Sequence, residues 1–513
     1  MNKRQTHINI LINILAFLIQ MIIGFYIAPI LISKLGTEAY GFIGLSNDFT
    51  NYIAIITTLF NSMAARFITL AIAKGDFKKA NIYFNSILAT NVLLSSLFCI
   101  FTIIIVLNIN KFINIPTKFI IDVKLTFLFT FITYIVSVLT SIFTISTYIK
   151  NRLDIQGARN LIQYLIRLLF IIIFLNALTI KIYLISIATL IATIIIAVFN
   201  INITKKLTPE IEIKFKYVKP GAVKELAKSG GWLVFINLSE ILMRGLDLLI
   251  ANLLFGSYQM GLLSVARTFP GYFSLIIGVI APIFTPGFIS LFAVNKTKEL
   301  IQSTKESIKS MALIMMVPIT GFIVFSTNFY TLWLKNYSSE EIRIMAILST
   351  ITVIQTYFNS VTATMAQISV VTNKLKLPVI LSFFCGLINL ITVIILVKTT
   401  NLGVYAIVLS STVIICLRYV LFNSYYCSRL LGQNTITFLL PVIKIWLTIP
   451  VLFIIMLLYK HYIVIDSWID LIIAAIICGI CGYMIEFVLL DRNYTIKKLE
   501  EIKCKILSKG KNE

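Results

Sequence analysis

Apolar runs of 18 or more residues recur along the whole of this 513-residue chain, with short polar stretches between them. A helix of about 20 apolar residues crosses a hydrocarbon core of roughly 30 Å, so the pattern predicts membrane helices. Fourteen spans are predicted, at 8–33, 42–72, 83–107, 122–149, 160–177, 182–204, 232–255, 262–293, 307–333, 342–371, 378–397, 404–427, 438–459 and 468–490. An even number places both termini on one side. The first run follows Met1–His7 without a small-residue cleavage site, so it is read as a retained span rather than a signal peptide.

Charge sets the orientation. With the N-terminus inside, 28 of the 44 Lys and Arg residues fall on inner segments. The outer loops hold seven: Lys34, Lys111, Lys118, Lys181, Lys335, Lys398 and Lys460. Cytoplasmic loops collect basic residues, so the expected topology is N-in and C-in. The same rule accounts for the net charge of +23 without a nucleic-acid partner. At 59% hydrophobic and 13% charged, the chain has little room for a soluble domain. Cys478 and Cys481 have CxxC spacing but sit in an apolar run without His or acidic neighbours, and are read as inert buried thiols.

Two stretches 220 residues apart match. Gly36 and Gly41 in Leu35-Gly36-Thr37-Glu38-Ala39-Tyr40-Gly41 fall on Gly256 and Gly261, and Phe49, Tyr52 and Ala73 fall on Phe269, Tyr272 and Ala293. Tyr183 maps to Tyr405 at an offset of 222. Six spans per half means both halves enter from the same side, a parallel repeat. The expected layout is a six-helix bundle (1–204), a cytoplasmic linker (205–231), a second six-helix bundle (232–427), two appended helices (428–490) and a basic tail (491–513).

Ionisable groups inside spans cost roughly 2.5–3.5 kcal/mol each at the membrane centre, which makes them candidates for function. Asn237, Glu240, Arg244 and Asp247 are spaced 3, 4 and 3 apart, which in a regular helix puts all four on one face. Arg267 lies just inside span eight; Asp48 and Arg66 lie near the two ends of span two; Arg167 follows Gln163 by one turn. Asn9, Asn13, Gln20 and Gly24 share one side of span one. Arg66, Arg167, Arg244 and Arg267 are suited to a diphosphate, because the guanidinium fork binds phosphate oxygens bidentately. The competing reading is ion pairing along the helix, or snorkelling to headgroups. Asp48, Glu240 and Asp247 are candidates for proton or sodium coupling, or for pairing alone. Gln355 and Asn359, with Thr362 and Gln367, suit hydrogen bonds to sugar or to neighbouring helices. Lys444 and Glu486 are expected to pair and fasten the appended helices. Pro270, Pro282 and Pro286 punctuate span eight and predict kinks.

At these residues the chain resembles the polysaccharide biosynthesis flippases, lipid-linked oligosaccharide exporters of the multidrug/oligosaccharidyl-lipid/polysaccharide exporter superfamily. The likeness lies in Pro29, Leu35-Gly36-x-x-x-Tyr40-Gly41, Ala65-Arg66-Phe67-Ile68, Lys74-Gly75-Asp76, and Asp247 ahead of Phe255-Gly256 and Gly261. The resemblance implies an all-α polytopic membrane protein with two six-helix bundles in a V around a central cavity. It implies a bacterial cytoplasmic-membrane flippase that moves polyprenyl-diphosphate-linked sugars to the outer leaflet by alternating access. Its partners would be the lipid-linked saccharide, membrane lipids, a proton or sodium ion and polysaccharide-assembly proteins. Exporters of lipid II, of teichoic-type substrates or of drugs by cation coupling are alternatives in the same superfamily. The two extra helices favour a lipid-linked substrate, as a groove for its tail. A membrane-embedded polysaccharide polymerase fits less well, because the outer loops are short and His7 and His461 are isolated. No catalytic residue, cofactor or metal is expected. The chain has no Walker-type phosphate loop, which speaks against ATP drive within it.

Overall fold

The computed structural model describes residues 3–150, 152–177 and 180–490, with side chains for all of these except 3–11, 14 and 177. The basic tail expected at 491–513 and the side chain of Asn9 lie outside the described residues. No strand occurs among the described residues. The helices are α1 (Lys3–Leu35), α2 (Thr37–Asn61), α3 (Ala64–Ala73), α4 (Phe77–Asn108), α5 (Ile120–Ser141), α6 (Ile145–Ile149), α7 (Leu153–Ala177), α8 (Ile182–Leu207), α9 (Pro220–Glu240) and α10 (Asp247–Ala266). They continue with α11 (Thr268–Ile280), α12 (Thr285–Ala293), α13 (Thr297–Trp333), α14 (Ser339–Val371), α15 (Lys376–Thr399), α16 (Tyr405–Leu417), α17 (Ser424–Leu430), α18 (Ile436–Trp446), α19 (Ile449–Tyr462) and α20 (Trp468–Leu490).

Thirteen helical segments among the described residues are long and apolar enough to cross a membrane. The expected seventh span, 232–255, is not one of them. It is divided between α9, a π-helical turn at Ile241–Gly245 and the start of α10, and it carries Glu240, Arg244 and Asp247. The compact units also depart from a boundary in the linker. One comprises the chain up to Val265 together with Val379–Ile407; the other comprises Ala266–Pro378 and the chain from Val408 onward. The reason within the first unit is close packing by glycine. A Cβ at Gly230 of α9 would lie 2.3 Å from the Leu59 carbonyl oxygen of α2, and one at Gly386 of α15 would lie 2.6 Å from Leu242 Cβ.

The backbone follows the repeat at an offset of 220. Gly36 and Gly256 both take positive φ, 88° and 85°, with extended ψ, a conformation that a side chain strains. Helix ends at Ala73 and Ala293 are closed alike. Gly75 (φ 74°) donates to the Ile72 carbonyl and Asp76 to that of Ala71; Asn295 (φ 56°) donates to Phe292 and Lys296 to Leu291. Glycine, and asparagine next, tolerate this left-handed helix stop. The break expected from the prolines of span eight is present as a 3-10 segment, Ala281–Phe284. Span two breaks at the matching place, between Asn61 and Ala64, without a proline. The interruption belongs to the repeat, and proline is only one way to make it.

The linker is held by an asparagine ladder. Asn81 Nδ2 donates to the Glu210 carbonyl (3.0 Å) and its Oδ1 accepts from the Glu212 amide (2.6 Å). One turn on, Asn85 Nδ2 donates to the Glu212 carbonyl (2.7 Å) and its Oδ1 accepts from the Lys214 amide (2.9 Å). The spacings match: two extended residues rise about 6.6 Å, and four helical residues about 6 Å. The Lys219 amide donates to Ser86 Oγ (2.9 Å) further along. Asn85→Ala removes the second rung and is expected to loosen the segment by about 1–3 kcal/mol. Tryptic cleavage at Lys214, Lys216 and Lys219 should then rise about tenfold. An unchanged cleavage rate would mean that the segment is held by other contacts.

Two expectations are corrected in the second unit. Lys444 and Glu486 do not pair: Lys444 is exposed, while Glu486 is fully buried with no hydrogen-bond partner for either oxygen among the described residues. The face that α20 packs inward carries the acid past the reach of a surface lysine. The expected buried thiols divide as well, with Cys478 in the row that packs inward and Cys481 at the exposed edge of the helix.

Candidate functional site

In the first unit, polar positions on α2, α5, α7 and α8 face one another. Ser46 Oγ meets Thr130 Oγ1 (3.4 Å), which meets Ser186 Oγ (3.1 Å), so α2, α5 and α8 are tied by hydroxyls. Beside this line lies a cavity of about 220 Å³, lined by Asn47, Thr50, Thr130, Thr133, Tyr134 and Arg167 among others. Arg167 is the one charged side chain among the described lining residues. A second cavity, of about 350 Å³, shares Tyr134 and Ser137 with the first and adds Thr57, Thr58, Asn61 and Ser141. Thr57 Oγ1 meets the Tyr134 hydroxyl at 2.7 Å. Asn61 and Asn91 exchange amide hydrogen bonds (2.9 and 3.1 Å), and Ser141 Oγ donates to Asn61 Oδ1 (3.2 Å).

The chemistry is that of a neutral polar surface with one cation. Hydroxyls and amides both give and accept hydrogen bonds, which suits sugar hydroxyls. A guanidinium among them suits an oxyanion.

The other sequence candidates are distributed more widely. Asn237 joins the rim of the second cavity, its Nδ2 donating to Thr58 Oγ1 at 3.0 Å. The one-face stripe of span seven is interrupted by the π turn, which winds more residues per turn and shifts the register. Glu240 is exposed while Asp247 is buried. Arg244 lies within that turn, half-buried, and the adjacent Gly245 carbonyl accepts from the Tyr52 hydroxyl of α2 (2.6 Å). Asp48 is half-buried on α2 and Arg66 is exposed on α3. Arg267 is half-buried ahead of α11, in the second unit. Gln355 is buried and donates to Thr412 Oγ1 (2.9 Å) on the neighbouring α16, so it joins helices; Asn359 is half-buried. Sequence reasoning missed Arg159, which it placed on an inner loop. Arg159 is buried on α7, with Nη1 donating to Asn200 Oδ1 of α8 at 3.0 Å. The available signal was Asn200, a polar residue deep in an apolar run.

No family model matches the chain. It is 26% identical over 500 residues to the uncharacterized membrane protein EpsK of Bacillus subtilis (strain 168), covering 97% of this chain and 98% of that one. Its fold is similar to that of the lipid II flippase MurJ in an inward closed conformation (TM-score 0.69, 16% identity), over 94% of this chain and 99% of that one. It is similar also to an inward-facing multidrug resistance transporter of the MATE family (TM-score 0.63, 16% identity), over 83% of this chain and 99% of that one.

Proposed function

For a chain with the fold of the multidrug/oligosaccharidyl-lipid/polysaccharide exporter superfamily, we propose that this multi-pass membrane protein is a flippase for a polyprenyl-diphosphate-linked oligosaccharide. The observation that carries the reading is the hydroxyl- and amide-lined cavity pair of the first unit, with Arg167 as the one charge among the described lining residues. Sugar hydroxyls match the lining and the diphosphate matches the arginine. A drug cation would meet a like charge there. In the second unit, α19 and α20 enclose an apolar groove of about 340 Å³ lined by Leu458, Tyr459, Tyr462, Ile477 and Cys481 among others, which suits a polyprenyl chain. Transport moves the substrate from the cytoplasmic to the outer leaflet of a bacterial cytoplasmic membrane by alternating access, without bond chemistry. Arg244 and Arg267 are further candidates for the diphosphate, and Asp48 and Asp247 for ion coupling.

The test is translocation of a defined polyprenyl-diphosphate sugar in proteoliposomes. Protein-dependent loss of the sugar from the loaded leaflet is expected. No sugar movement beside robust ion-driven drug efflux would replace this reading with that of a drug exporter.

A further inference from the structure

α20 packs through one face. Its buried residues, Ala474, Cys478, Gly482 and Glu486, fall four apart. The small residues let it approach closely: a Cβ at Gly482 would lie 3.1 Å from both Val317 methyl groups of α13 and 3.5 Å from Leu452 of α19. The fourth residue in the row is the acid. Glu486 is 0% exposed, and neither of its oxygens has a hydrogen-bond partner among the described residues. The core that this face joins includes Val317, Ile319, Val353, Leu452 and Met456.

Among the described residues, the groups around the acid offer it no counter-charge. Tyr357 of α14 and Tyr483 of α20 are the phenols within its electrostatic reach. The Tyr357 hydroxyl is already hydrogen-bonded to Thr320 Oγ1 of α13. On α18, Lys444 is exposed; on α19, the Lys460 ammonium donates to the Val324 carbonyl at 2.7 Å. An ionised carboxylate in such a seat is costly enough that the group takes a proton instead. A sodium ion would need several oxygen ligands, and the Tyr357 hydroxyl is already bonded to that of Thr320.

We infer that Glu486 is a proton-binding site, an acid that holds its proton while seated in this core and exchanges it with water when α20 and its neighbours part. Only an O–H bond breaks and re-forms: the acid gives H⁺ to water, and the carboxylate takes one back before it re-enters the core. Coupling of this exchange to transport rests on the flippase reading; the protonated seat does not.

Two measurements on the full-length protein in liposomes test it. Dicyclohexylcarbodiimide, an apolar reagent for protonated carboxyls, should modify Glu486 by peptide mass spectrometry, whereas a water-soluble carbodiimide should not. Modification should fall at least about tenfold when the pH is raised far enough to ionise the acid. Glu486→Gln keeps the neutral shape, so its thermal unfolding midpoint should match the parent's. In that variant, the ratio of sugar translocation rates with and without an imposed pH gradient should fall to one. Absent or pH-independent modification overturns the proton site, and an unaltered gradient ratio in Glu486→Gln overturns its coupling. Labelling needs no transport, so failure of the flippase reading and failure of this one are told apart.

Discussion

Arg167→Glu is expected to reduce translocation of a polyprenyl-diphosphate sugar by about 100-fold or more. A hydrogen bond to a charged group contributes about 1.5–3 kcal/mol, so losing one already costs about 10- to 150-fold. Reversal adds repulsion between like charges, about 1–4 kcal/mol at 4 Å between water-like and surface-like screening. The cavity has no other charged lining residue among those described, so the reversal makes its lining net negative. Arg167→Lys keeps the charge but loses the planar fork, and roughly a tenth of the parent rate is expected. Arg167 is half-buried rather than in the core, so both variants should insert and fold. The measurement is the initial rate of sugar movement in proteoliposomes at matched protein content. A rate within twofold of the parent for Arg167→Glu would remove this residue from the site.

The second large effect is structural and lies at the repeated glycines. Gly41 of α2 and Gly261 of α10, which occupy matching places in the two halves, touch each other. A Cβ at Gly41 would lie 2.9 Å from the Gly261 Cα, and one at Gly261 would lie 2.5 Å from the Thr37 carbonyl oxygen. The clash at Gly261 is with backbone, which cannot swing aside as a side chain does. Gly261→Ala is therefore expected to destabilise the first unit by about 1–3 kcal/mol, and Gly261→Val by more. Gly36→Ala should cost about the same for another reason. There is open space around that Cα, but φ is 88° with ψ at 162°, a region strained for any side chain. Gly271→Ala is the control, since its site is open and its backbone helical. Thermal unfolding in detergent ranks the variants. Equal midpoints for Gly261→Ala and Gly271→Ala would refute the crossing.

Much of this fold was legible in the sequence. The offset of 220 that linked Gly36 to Gly256 and Ala73 to Ala293 predicted the shared helix starts and stops. It worked because positive φ, a local property of the backbone, selects for glycine or asparagine. The site was only partly legible. Arg167 stood out as an ionisable group in an apolar run, but Thr50, Thr130, Thr133, Ser137 and Asn61 did not. Serine and threonine are common in membrane helices, where they bond back to their own backbone, as Thr133 does to the Phe129 carbonyl (2.7 Å). Span seven misled for a different reason: the spacing of Asn237, Glu240, Arg244 and Asp247 was read on a regular helix, and the π turn changes the register.

By itself, the sequence determined the placement of thirteen of the fourteen expected apolar spans and the repeat, because span length and backbone conformation are written in contiguous residues. Only the tertiary structure decided which polar groups share a cavity. It also decided that α9 packs with the helices before it and that Glu486 is seated without Lys444. Hydropathy cannot carry that information: lipid tails are as apolar as leucine, so the choice of neighbour falls to close packing at residues such as Gly41, Gly230 and Gly482.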